Sequence, residues 1–152
     1  MNTKNKIYQG YEGLKILKAA RYKGRWYVII SNHGKFPCAY VQLKADDACD
    51  EDSLMELDVH GGVTFNNTLI HLAKYKDNAW MPKCYLNYKY VGWDYGHCED
   101  YINNEICYPK DEHAIVHTLT ELTEDCEYAI NQLNEVSLKR QGKWYLRKST
   151  VG

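Results

Sequence analysis

Asp94, His97 and Asp100 are spaced by three residues beside two glycines, Gly92 and Gly96, and an earlier histidine, His60, precedes the pair Gly61-Gly62. If the stretch after Gly92 coils into a helical turn, its three ionisable side chains fall within one arc and can address a common atom. In an extended strand they would alternate between faces and could not. The glycines make such a turn accessible, because glycine adopts φ > 0 without steric cost. Both segments place ionisable groups where an apolar run stops. Were the two runs neighbouring strands, two imidazoles and two carboxylates would converge at one end of a sheet.

Such a set has two chemical uses. Mixed imidazole and carboxylate ligands suit Zn, Mn or Fe, and a bound water could then be activated for hydrolysis. Without metal, a His-Asp pair could orient and protonate a ligand while Gly61 and Gly62 leave backbone N–H groups open to a phosphate or carboxylate. His60, Asp94, His97 and Asp100 are therefore the expected catalytic or metal-ligating residues. Gly61, Gly62, Thr64, Trp93 and Tyr95 are the expected ligand contacts. A divalent metal is the cofactor these residues suggest. The structural alternative is that Asp94 caps turn amides, His97 is a half-buried imidazole, and Gly61-Gly62 is only a hairpin.

Other motifs carry less. His113 and His117 are four apart, as helix-borne ligands can be, but the Glu and third ligand of metalloprotease motifs are missing, so a surface position is expected for both. Cys98, next to His97, reads as a packed thiol rather than a nucleophile. No serine nucleophile elbow, P-loop or dinucleotide glycine motif occurs, and no His-x-Thr pair.

The elements that must position these residues follow from periodicity. A weak strand over 14–22, a Lys23-Gly24 turn, the aromatic and β-branched run 25–30, a turn at 32–35 and a strand over 37–43 predict a meander of hairpins. Residues 45–53 are acidic and read as a solvated loop; the residue order of an EF-hand is missing. A half-exposed strand over 54–59 then delivers His60 to its turn, and a strand over 63–65 leaves it. Residues 69–72 fit either a strand or a helical turn. A strand over 85–91 runs into Gly92-Trp93-Asp94, and 101–112 reads as a long connection.

Thr118-x-x-Glu121 has the capping-box form, and Leu119, Leu122, Cys126, Ala129, Ile130, Leu133 and Val136 follow at helical spacing. This predicts a helix over about 119–138, ended near Gly142, and a final strand over about 143–148. The expected architecture is an α+β domain, a mostly antiparallel sheet of hairpins with one long C-terminal amphipathic helix packed on one face. One domain, 1–152, is expected, with 1–10 loose.

Composition bounds the function. With 19 Lys and Arg against 20 Asp and Glu, the net charge is -1, which gives no global field that would draw the chain onto nucleic acid or an acidic membrane. No apolar run approaches the ~20 residues needed to cross a bilayer, and a cytoplasmic location is expected. The six cysteines lack a Cys-x-x-Cys pair and an export signal, so they read as mostly reduced thiols. Aromatic usage is skewed to 14 Tyr and 4 Trp against 2 Phe, which suits half-buried sheet surfaces, interfaces and ligand pockets.

The segment His60-Gly61-Gly62-Val63-Thr64-Phe65, followed by Gly92-Trp93-Asp94-Tyr95-Gly96-His97-Cys98-Glu99-Asp100-Tyr101 and an acidic amphipathic helix, resembles a family of small uncharacterised phage and prophage proteins. Those proteins carry His-Gly-Gly-x-Thr-Phe/Tyr before Gly-Phe-Asp-x-x-His-x-x-Asp. The likeness spans roughly Tyr40 to Val136, with Trp93 in place of the usual Phe and Glu99 where Gly is common. It implies an accessory protein of a mobile element, in the cytoplasm of a host cell, that counters host defence. Two functions follow as expectations. The first is binding, and by extension hydrolysis, of a small phosphorylated ligand such as a nucleotide in the His/Asp pocket. The second is anti-CRISPR-like inhibition of a host defence nuclease through protein binding, using the Tyr and Trp surface and the acidic loop 46–52. Self-association into a homo-oligomer is compatible with either.

Overall fold

The run over residues 27–30 is buried along its whole length, because it lies in a sheet covered on both faces. A computed structural model of the chain describes residues 14–32, 36–45, 47, 51–75, 80–96, 100–102 and 115–151, with the backbone alone described at 51, 100–102, 115–116 and 137–151. The strands β1 (Lys15–Tyr22), β2 (Arg25–Asn32) and β3 (Phe36–Gln42) form the expected meander. The helix α1 (Glu51–Met55) comes next, then β4 (Phe65–Thr68), β5 (Lys89–Asp94), β6 (Asp100–Ile102), β7 (Ile115–His117) and the long helix α2 (Leu119–Val151). Strands β1 to β5 form one antiparallel sheet in the order β1-β2-β3-β5-β4, and β6 pairs with β7 in parallel.

Strand alternation divides the core into two layers. On one face Tyr27, Ile29, Ala39, Val41, Val91, Trp93 and Tyr95 pack against Leu122, Cys126, Ala129, Ile130 and Leu133 of α2. On the other, Val28, Ile30, Cys38, Tyr40 and Tyr90 pack against Leu69, Leu72, Met81 and Leu86. The α+β class and the amphipathic helix over the sheet are thus as expected. Thr118 caps α2 by accepting a hydrogen bond from Glu121 N at 3.2 Å. Of the described cysteines, Cys38, Cys84 and Cys126 are free thiols, with Cys38 and Cys126 packed as small apolar groups; burial pushes the Cys126 thiol far above its usual range.

Several elements differ from expectation. The alternating stretch 54–59 is the end of α1 and two turns rather than a strand. Leu54, Leu57 and Val59 all reach the same core layer, which a period of two would forbid. The stretch 85–91 begins as a 3-10 turn, Lys83–Asn87, and becomes strand only at Lys89. Residues 69–72 resolve as a 3-10 turn, Ile70–Leu72. The final strand over 143–148 is replaced by helix, since α2 continues to Val151. One glycine, Gly142, costs a helix only about 1 kcal/mol, and the residues around it are mostly good helix formers.

The acidic loop is not wholly solvated. Asp47 is buried and grips Arg25, itself 1% exposed, with Nη1 to Oδ2 at 2.5 Å and Nη2 to Oδ1 at 2.8 Å. Arg25 also donates to Gln42 O at 3.0 Å and to Asn134 Oδ1 at 2.8 Å, and Lys44 N donates to Asp47 Oδ2 at 2.6 Å. One guanidinium therefore joins β2, the end of β3, the loop and α2. No helix among the described residues is long and apolar enough to cross a membrane.

Candidate functional site

The two glycine-flanked segments do meet. Gly61 and Gly62 have φ of 71° and 85°, a conformation that side chains with a Cβ rarely adopt, and Gly62 N donates to Val59 O at 3.0 Å. That turn lays the His60 ring flat on Tyr95, just past the end of β5, with centroids 4.6 Å apart and planes 16° apart. The residues that leave the turn are tied to the same strand: Thr64 N donates to Gly92 O at 2.9 Å, and Thr64 Oγ1 reaches Asp94 Oδ2 at 3.5 Å.

A second imidazole completes the ring set. His117, buried at the end of β7, lies edge-on to His60 at 5.0 Å and tilted to Tyr95 at 5.2 Å. Its Nδ1 is 3.4 Å from Glu121 Oε2 in the first turn of α2. Below the rings, Tyr95 is sealed from solvent. Its hydroxyl donates to Asp125 Oδ2 at 2.6 Å and accepts from Trp93 Nε1 at 3.0 Å. Burial first, and the Asp125 carboxylate second, hold this phenol protonated far above its usual range.

A cleft of about 360 Å³ opens over these rings, bounded by Asp58, Val59, His60 and His117 on one side and by Glu121, Glu124, Asp125 and Tyr128 of α2 on the other. Its mouth is braced across the gap. Tyr128 donates to Asp58 Oδ2 at 3.2 Å, and Gln132 exchanges hydrogen bonds with the backbone of Asp58. The Tyr128 phenol is raised from its ordinary value chiefly by that bond to Asp58. Four carboxylates and two imidazoles thus surround one concavity.

The remaining expected residues are placed differently. Asp94 points to the opposite face of the sheet, across from Cys38 and toward Tyr40, and its Oδ1 accepts from Gly96 N at 2.9 Å. The period of two that brings Trp93 and Tyr95 under α2 sends Asp94 away from His60. Trp93, an expected ligand contact, is 1% exposed in the core beneath α2. The Gly62 N–H is taken by Val59, and Thr64 is exposed at the start of β4. His97, Cys98 and the Asp100 side chain lie outside the described residues, as does His113. Among the described residues no group of three or more His, Cys, Asp and Glu side chains is arranged to hold a metal ion.

A surface position was expected for His117, which is instead buried, because its ring packs against His60 and Tyr95; Asp58 and the acidic face of α2 were missed. The capping box at Thr118 was the available signal, because it fixes the first turn and so the direction in which Glu121, Glu124 and Asp125 project. No family model, no curated protein and no solved structure matches this chain.

Proposed function

We propose that this protein acts by binding, through the His60 cleft, and that its ligand is a basic segment of a partner protein. The carrying observation is the cleft's own charge: Asp58, Glu121, Glu124 and Asp125 line it, beside the rings of His60, His117 and Tyr128. A phosphate placed there would meet four carboxylates, which argues against the phosphorylated ligand expected for this site. A guanidinium or ammonium would meet complementary charge.

In the setting implied by the phage-protein resemblance, the partner is the nucleic-acid-binding face of a host defence nuclease, where Lys and Arg side chains that normally hold phosphates are available for capture. No turnover is required for such a role. The test is calorimetric titration of the full chain with an oligo-arginine peptide and with an uncharged peptide of equal length, for wild type and Glu124→Lys. Selective binding of the basic peptide that Glu124→Lys removes supports the reading. Equal affinity for both peptides, or binding that survives the charge reversal, contradicts it.

A further inference from the structure

A second cavity, which shares no lining residue with the His60 cleft, has the opposite character. It lies where β3 ends and β5 begins, closed by the bond from Leu43 N to Lys89 O at 2.8 Å. Its volume is about 480 Å³. Cavities of about 300–1,000 Å³ suit small-molecule ligands.

The floor is apolar and aromatic. Leu43 is buried within it, and Tyr85 is the middle ring of a row, 5.5 Å from Trp26 and 5.6 Å from Tyr88. The Arg21 guanidinium sits 5.9 Å from the Tyr85 centroid and helps to hold that ring. Tyr88 is 49% exposed, so part of its surface is open to a stacking partner.

Among the described residues, the charged groups that line it are all of one sign. Lys44 and Lys89 line the cavity, no carboxylate does, and neither ammonium has a hydrogen-bond or ion-pair partner among the described residues. Gln42 adds a polar contact. It is 7% exposed, and its Oε1 accepts from Trp26 N at 2.9 Å, which leaves the amide NH2 to donate elsewhere.

Open tyrosine surface, two ammonium groups without a partner among the described residues and an amide donor select for a planar ring that carries negative charge. We infer that this cavity binds a mononucleotide, its base against Tyr85 and Tyr88 and its phosphate at Lys44 and Lys89. Aromatic stacking supplies sequence-tolerant base affinity, and the ammonium groups act as point charges on the phosphate. The site is independent of the His60 cleft, whose acids would repel the same ligand.

The experiment is calorimetric titration of the full chain with AMP, adenosine and inorganic phosphate, with far-ultraviolet circular dichroism to confirm each variant's fold. Wild type is expected to bind AMP more tightly than either half-molecule, and increasing salt should weaken AMP more than adenosine. Tyr88→Ala, at an exposed position, should weaken AMP roughly tenfold. The double variant Lys44→Glu/Lys89→Glu should abolish AMP binding, whereas Lys74→Glu, a charge reversal outside the cavity, should leave it unchanged. Failure of wild type to bind AMP, phosphate binding as tight as AMP, an undiminished affinity in the double variant, or binding only of an oligonucleotide would each overturn the inference.

Discussion

His60 lies on Tyr95 in a near-parallel stack, 4.6 Å between ring centroids, although β4 and the 3-10 turns Ile70–Leu72 and Lys83–Asn87 come between them in the chain. The stack converts a glycine turn and a strand end into one surface, and Tyr95 carries that surface into the core through its bonds to Asp125 and Trp93. Removing the ring and replacing it should therefore give different results. His60→Ala should cost about 1 kcal/mol of stability and the affinity for a basic peptide, whereas His60→Phe should retain most of the stability. Urea denaturation beside peptide titration checks both.

The Arg25 and Asp47 pair predicts a large, asymmetric effect. Arg25→Met or Asp47→Asn alone leaves the other charge short of its partner in a dry site and should destabilise by about 3–5 kcal/mol. Replacing both with apolar residues should recover much of that loss. A double-mutant cycle in urea measures the recovery; single variants as stable as wild type would mean the pair holds nothing together.

Gly92 predicts a steric effect. A Cβ at this position would meet Tyr40 Cδ1 at 2.6 Å and Ala39 O at 2.9 Å, and the backbone contact cannot rotate away. Gly92→Ala should destabilise by about 1–3 kcal/mol, as other overpacked cores do. Gly92→Ala combined with Tyr40→Leu should lose less than the sum, which thermal unfolding of the three variants can decide.

Alkaline pH should unfold the protein from its tyrosines. Burial raises the Tyr40, Tyr90 and Tyr95 phenols far above the ordinary value of 10.0. The folded state therefore keeps protons that the unfolded chain releases above about pH 10, so stability is intact below that value and falls as pH rises past it. Phenolate absorbance from these three buried rings should appear together with loss of structure rather than before it. Tyr95→Phe should reduce the pH slope, although it also removes the hydroxyl that Asp125 accepts from.

The sheet and the long helix were readable because their signals are local. The aromatic and β-branched run in β2 and the capped periodic stretch from Thr118 need no knowledge of neighbours. The junction of His60 with the Gly92 segment was also legible, since glycines beside ionisable residues at strand ends mark such turns. What sequence could not supply was the face on which each residue falls. A strand through Trp93, Asp94 and Tyr95 places Asp94 opposite His60, and only the packed helix shows which side is which. Asp47 failed to stand out for a similar reason: in a run of acids, nothing local marks the one that meets a buried arginine.

The imidazole signals of His60 and His117, followed by heteronuclear NMR during titration with the oligo-arginine peptide and, separately, with inorganic phosphate, test the role of the cleft most directly. Shifts at both histidines with the peptide, absent in Glu124→Lys and absent with phosphate, are the predicted result. Histidines that respond to phosphate, or that ignore the peptide while it binds elsewhere, would contradict it.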